Sequence, residues 1–233
     1  MNPELKRILD KIKDESLREK VAQLLQNPTI EIDGKVYSGL SIEEAPAGLS
    51  RHHSYPGGFL EHLISTSRIA LTLCDIVRTV YGGEVNQDLV IAGTLLHDVF
   101  KLLTYKVEED GTYGVTPLAE RMNHLSLAVS EMVRRGFPLD LIHIVCAHHG
   151  EAGPISPRTV EALICHLADV TDSRLNGEIL RAARHLIREV TGEEPKQLTS
   201  REAFEIVRLK QLRGLEGVRE AAERIMKGKE LKA

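Results

Sequence analysis

The chain has 233 residues, 42% of them hydrophobic, and no low-complexity tract, so one domain over 1–233 with a sizeable core is expected. Its 30 Lys and Arg stand against 34 Asp and Glu with both signs interspersed, and the formal net charge of −4 argues against a protein that coats nucleic acid through a basic face. Cys74, Cys146 and Cys165 form no CxxC pair, which indicates neither a disulfide frame nor a thiolate zinc site; no apolar run approaches the roughly 18 residues of a membrane span, and the opening MNPELKRILDKIKDE is charged from its fourth residue, so a cytoplasmic protein with no membrane segment is expected.

Apolar residues recur at helical spacing along most of the chain, which predicts an all-α class. The first helix is expected over 3–26, with Asn2 as N-cap, Pro3 at the first helical position and a restart at Asp14. TIEIDGKVYSG alternates around Asp33-Gly34 and predicts a small β-hairpin at 29–38. Residues 39–57 carry two prolines and no clean period, and read as an ordered loop. Helices follow at 58–81, closed by Gly82-Gly83, and at 87–101, and then a second hairpin-like insert, TYKVEEDGTYGVTP. Further helices are expected at 118–135, 138–149, 157–175, 177–190 and 200–227, with Pro138 and Pro157 at helix starts and Gly136 and Gly150 at helix ends. The metal-site core should span about 50–175, with the N-terminal helix and the helices of 177–227 packed on it.

Ten histidines occur, and six of them, His62, His97, His124, His148, His149 and His166, fall near the ends of the expected inner helices. Any one alone reads as an ordinary core or surface residue. Together they are not independent: His97-Asp98 and His148-His149 each close the last turn of a helix, and Asp169 interrupts the apolar face of VEALICHLADV, where an unpaired carboxylate is costly to bury. A metal ion removes that cost. Imidazole and carboxylate without thiolate suit iron, manganese, nickel, cobalt or zinc at a catalytic centre with open positions for water.

The order His62, His97-Asp98, His124, His148-His149, Asp169 resembles the H…HD…H…HH…D signature of the HD-domain superfamily of metal-dependent phosphohydrolases, over residues 50 to about 175. The resemblance implies an HD-domain helical bundle. Carried over residue by residue, it implies one divalent ion on His62, His97, Asp98 and Asp169, and a second on His124, His148 and His149 that Asp98 bridges. Mononuclear members generally lack the middle histidine and the double histidine, and this chain has both, so two ions, iron or manganese first, are expected. Two cations about 3.5–4 Å apart acidify a water, hold a phosphate and offset charge on both the attacking and leaving oxygens. Lys101 in HDVFK matches the lysine of the family's HDxGK pattern and is expected at a phosphate oxygen; Phe100 stands where that pattern has glycine, which leaves the backbone path after Asp98 open and suggests a narrower pocket.

GLSRHHSYPGGFLEH places Arg51, His52, His53 and Tyr55 one loop upstream of His62, so that Arg51 and one of the two histidines can contact phosphate or protonate a leaving oxygen. Asp98, Lys101 and His53 are thus the catalytic candidates, and Arg51, His52, His53, Tyr55 and Lys101 the substrate-binding ones. The stretch is similar to the HHxYxGGLLEH entry of two HD subfamilies, bacterial 3'-to-5' exoribonucleases with a preceding OB-fold and archaeal dihydroneopterin 2',3'-cyclic phosphate phosphodiesterases. About 50 residues before the motif are too few for an OB barrel, and a chain with no tryptophan, 4% aromatic residues and a negative net charge suits a stacking track for RNA poorly. A phosphodiesterase acting on a small cyclic phosphate ester is therefore expected, with exoribonuclease or nucleotide phosphatase as the alternative and a homo-oligomer left open. Degenerate HD domains that only regulate have usually lost ligands of the motif, and none is missing here.

Overall fold

The computed structural model describes residues 1–230. It is a helical body carrying two small antiparallel hairpins, and no helix among the described residues is long and apolar enough to cross a membrane. The expected first helix is two: α1 (Pro3–Leu9), capped by the Asn2 side chain, and α2 (Glu15–Gln26), capped by Asp14 through the Leu17 N–H at 3.0 Å. The break between them is held from a distance. Asp88 accepts the Lys13 and Asp14 backbone N–H groups at 3.0 and 2.9 Å, so a residue some 75 positions on stabilises the turn.

The first hairpin pairs β1 (Ile30–Ile32) with β2 (Lys35–Tyr37) through the two-residue turn Asp33-Gly34, where both residues have positive φ, 51° and 71°. The amphipathic α3 (Gly58–Thr79) then packs against α4 (Gln87–Leu96), whose residues Val90 to Leu96 are all buried. Ser67 and Thr94 share a buried hydrogen bond of 3.0 Å across that contact. A short α5 (Lys101–Thr104) leads into β3 (Tyr105–Val107) and β4 (Tyr113–Val115), the second hairpin. α6 (His124–Arg134) and α7 (Leu139–Ala147) complete the layer around α4, and a 3-10 turn over Gly150–Ala152 follows.

The C-terminal third departs from expectation. In place of helices at 157–175 and 177–190 there is one 32-residue helix, α8 (Val160–Thr191), which starts at the Thr159 cap and runs straight through Gly177. Asn176, Leu180, Ala183, Ile187 and Val190 continue its buried stripe, and this packing overrides the one weak residue. α9 (Ser200–Glu230) is not one rod but breaks at Gly214, with φ 64° and ψ −154°. Arg224 reaches Glu205 at 2.5 Å, a pair that a straight helix would separate by about 28 Å, so the second half doubles back on the first. Apolar residues of α8 and both halves of α9 form a second cluster distinct from the main core of residues 5–168, and Tyr55 is buried in it.

Candidate metal centre

Five helices bring the sequence-nominated groups together. His62 lies in the second turn of α3 and is fully buried. His97 and Asp98 sit just past the end of α4, not in its last turn: His97 is the C-cap, its N–H bonded to Gly93 O at 2.9 Å. His148 and His149 likewise follow the end of α7. His124 is the first residue of α6, behind an Asn123 cap, and Asp169 projects from the middle of α8. Placing the pairs beyond the helix ends turns their side chains across the bundle toward α3 and α8.

Two groups of ligand atoms result, and they meet on Asp98. His62 Nε2 lies 3.1 Å from His97 Nε2, 3.4 Å from Asp169 Oδ1 and 3.6 Å from Asp98 Oδ2, and His97 Nε2 lies 3.4 Å from the same Asp98 oxygen. On the other side, Asp98 Oδ1 lies 3.3 Å from His124 Nε2 and 3.6 Å from His148 Nε2, with the His149 ring edge-on to that of His124 and tilted against that of His148. Asp98, His124, His148 and His149 form one cluster able to hold an ion, and His62, His97 and Asp169 another.

The buried polar atoms supply the test of fit. Asp98 Oδ1, His124 Nε2 and His148 Nε2 are buried and have no hydrogen-bond partner among the described residues, and an unpartnered buried polar atom costs about 1–3 kcal/mol. All three are ligand-type atoms that face one another. Three of the histidines are fixed from behind: His97 Nδ1 donates to Thr94 O at 2.9 Å, His148 Nδ1 to Val145 O at 2.6 Å, and His62 Nδ1 to Asp172 Oδ2 at 2.7 Å. Each bond turns Nε2 toward the ligand groups as the nitrogen that would bind an ion, the arrangement that outer partners impose on metal-binding histidines. The residues fit a pair of divalent ions.

Electrostatics agree with that donor set. Burial alone would lower the His62 pKa, but the hydrogen bond to Asp172 and the charges of Asp98 and Asp169 outweigh it and raise it to about 9, so without an ion the carboxylates draw a proton onto Nε2, the position a cation would take. Burial would raise Asp98 and Asp169, yet Lys101 and His97 beside the first, and His97 and His62 beside the second, hold both carboxyls below their usual range. Burial lowers His149 to about 4, which keeps its imidazole neutral.

The loop before α3 is placed over this centre by contacts that the sequence did not announce. His53 has φ 46°, a conformation costly for a residue with a side chain, and its N–H is held by the Asn176 side chain of α8 at 2.6 Å. Gly58 lets the chain close here, because a Cβ at that position would sit 2.2 Å from His53 O. His53 is buried with Nε2 3.7 Å from Asp172, and burial pulls its pKa to about 3 and that of His52 to about 4, so both rings are neutral and His53 is a hydrogen-bonding group and not a ready acid. Both histidines approach His62, but each nitrogen of His62 already faces a partner, Asp172 or the first ligand cluster.

Tyr55 and Phe100 lie elsewhere than expected, while Lys101 is drawn into the centre itself. The Tyr55 ring turns into the cluster beneath α8 and α9, and its hydroxyl bonds Glu61 at 2.6 Å and Ser200, so it faces away from the ligand groups. The Lys101 Nζ is buried beside the ligand groups, bonded to Ala47 O at 3.0 Å and Asp98 Oδ2 at 2.5 Å. Phe100 is fully buried in the main core and does not narrow the site. His166 points elsewhere too, bonding His148 O at 2.6 Å. Arg51 is exposed at the mouth of a cleft that also touches His52 and Asp169. Asp172 and Asn176 are the participants that sequence reasoning missed; their signal was the spacing Asp169, Asp172, Asn176 down one face of α8.

A helical bundle that turns a histidine-aspartate pair and further helix-end histidines onto one shared carboxylate defines a metal-dependent phosphohydrolase. The chain belongs to the HD-domain family: the family profile matches residues 59–174. It is 45% identical over 178 residues to the dihydroneopterin 2',3'-cyclic phosphate phosphodiesterase of Methanocaldococcus jannaschii, an alignment covering 76% of this chain and 71% of that one. It is 31% identical over 142 residues to the 3'-5' exoribonuclease YhaM of Listeria innocua, and 28% over 179 residues to that of Oceanobacillus iheyensis, spanning 43% and 54% of those proteins. No solved structure matches the chain.

Proposed function

We propose that the chain hydrolyses a small 2',3'-cyclic phosphate ester, such as one carried by a dihydropterin, to a phosphomonoester. The observation that carries the reading is the division of Asp98, with Oδ2 among His62, His97 and Asp169, and Oδ1 among His124 and His148. In this proposal His62, His97, Asp98 and Asp169 hold one divalent ion and His124, His148, His149 and Asp98 a second, iron or manganese first and nickel, cobalt or zinc otherwise. Such ions supply Lewis acidity to the phosphate and acidify a water. One P–O bond of the ring breaks as water adds, and the freed ribose-type oxygen takes a proton.

The protein's own groups position that event. Lys101, held by Asp98 and Ala47 O, keeps the shared carboxylate ionised and in place. Arg51 and His52 line the approach and are the groups that meet the ester. The 45% identity to a cyclic phosphodiesterase supports the substrate class, while relatives that trim RNA align over only about half of their length. The test is an anaerobic screen of the metal-loaded protein against 2',3'-cyclic phosphates, linear diesters, phosphomonoesters and RNA oligomers. Ring opening far faster than RNA trimming is the expected result; efficient stepwise shortening of RNA, with negligible ring opening, overturns it.

A further inference from the structure

The cleft beside Asp169 is much larger than a small cyclic ester requires. Its volume is about 1070 Å³, just above the roughly 300–1,000 Å³ of ordinary ligand pockets. It runs from Asp169 and His52 along the outer face of α8 to Arg188, walled by Ser50, Arg51 and Glu194. Arg174, Arg181 and Arg188 recur at every seventh residue, so they share one face of the helix over about 21 Å. With Arg51 and Arg184 they make five guanidinium groups against the three carboxylates of Asp169, Glu178 and Glu194, in a chain whose overall charge is −4.

The local pairing divides these arginines. Arg184 is structural, bonded to Ser50 O at 3.0 Å and Ser54 Oγ at 2.9 Å. Glu178 and Glu194 orient Arg181 and Arg188 from the rim. Arg51 and Arg174 are exposed and have no carboxylate within 4.0 Å among the described residues. Among the described residues the only rings lining the cleft are the imidazoles of His52 and His185, with no Phe or Tyr. Five planar guanidiniums with so few rings beside them suit the bidentate recognition of phosphate oxygens better than a run of stacked bases.

We propose that this cleft is a subsite for a second phosphate of the substrate, so that the enzyme opens 2',3'-cyclic phosphates that bear a further phosphate or phosphodiester arm in preference to the bare cyclic ester. The inference rests on the ring-opening reading above and extends it. Arg174, about 7.5 Å along the helix from Asp169, serves the nearer phosphate; Arg181 and Arg188 serve phosphates further along an arm. The second phosphate passes through the reaction unchanged, since water adds only across the cyclic ester.

The experiment compares kcat and KM of the metal-loaded enzyme for a nucleoside 2',3'-cyclic phosphate, its 5'-phosphorylated form and a trinucleotide ending in the cyclic phosphate. Binding of a nucleoside 5'-diphosphate, which has no cyclic ester, is followed in parallel by calorimetry. A 5'-phosphate is expected to lower KM about tenfold with little change in kcat, and R174Q/R181Q to abolish that ratio and the diphosphate binding while helicity is retained. A further gain with the trinucleotide marks a nucleic-acid arm as the source, and no further gain marks a mononucleotide; both support the subsite. Equal KM for the bare and phosphorylated esters, with diphosphate binding indifferent to the double variant, overturns it. Diphosphate binding that depends on the two arginines, with no cyclic ester opened, leaves the subsite standing and refutes the ring-opening reading instead.

Discussion

Asp172 Oδ2 accepts a hydrogen bond from His62 Nδ1 at 2.7 Å, although 110 residues separate the two along the chain. Asp172 lies one turn beyond Asp169 on α8, so a single helix presents a ligand-type carboxylate and, behind it, the group that orients the histidine opposite. Loss of such an outer partner commonly costs 10–100-fold in metal affinity or activity. Asp172→Asn is therefore expected to weaken binding at the His62 ion by about that factor, read by competition with a chelator. An unaltered affinity would reduce Asp172 to a packing role.

Asp98→Asn is nearly isosteric and leaves Lys101 its bond to Ala47 O, so the fold should survive by circular dichroism. The variant loses the anionic oxygens that both clusters share, and turnover should fall by more than the roughly hundredfold typical of an outer-partner loss. Near-normal turnover with unchanged ion content would remove the shared-carboxylate reading.

Acid stability should carry the mark of Glu131, buried on α6 and gripped by Arg134 at 2.5 and 2.8 Å and by Arg135 at 2.6 Å. Burial pushes its carboxyl upward, but the two guanidiniums outweigh that and hold it below the ordinary glutamate value of 4.5. Since the folded value is the depressed one, its stabilisation is present above the unfolded pKa and is lost as pH falls through the folded pKa. Glu131→Gln should cost about 1–3 kcal/mol at pH 7, and the two stability curves should converge in that acid window. Parallel curves from pH 7 down to pH 2 would contradict the assignment.

Asn176 holds three elements at once, accepting the His53 N–H and donating to Ser200 Oγ at 2.6 Å and to Tyr55 OH at 3.4 Å. Asn176→Leu fills the space but leaves a buried N–H at a residue already in a strained conformation, for an expected loss of about 1–3 kcal/mol. Its kinetic mark should be a raised KM, because the displaced loop carries Arg51 and His52. A lowered kcat with KM unchanged would place Asn176 in the chemistry instead.

The helical class, both hairpins and the seven ligand-type residues were legible because each is a local or ordered feature: a period, an Asp-Gly turn, a histidine-aspartate order. What was not legible depends on distant partners. Asp88 breaks the first helix from about 75 residues away, and the α9 stripe carries α8 straight through Gly177. Tyr55 reads like a loop residue near a site, yet Ser200, 145 residues on, draws it into a core. Net charge misleads in the same manner, because an average of −4 conceals an arginine-lined face that exists only once α8 is a single helix.

The proposed second ion is the part of the reading that ion counting tests most directly. His124, His148 and His149 gather with Asp98 as one group of ligand-type atoms, and His124 Nε2, His148 Nε2 and Asp98 Oδ1 lack hydrogen-bond partners among the described residues. His149, half-exposed and with its pKa lowered to about 4, offers a neutral ring that can be removed at little cost to the core. Metal-reconstituted protein should approach two ions per chain by elemental analysis, and His149→Ala should lower the count toward one. The ion left behind should be the one on His62, His97 and Asp169, so His97→Ala, added to His149→Ala, should lower the count toward zero. A count that stays at one in the intact protein with full activity would assign His124, His148 and His149 to substrate contact.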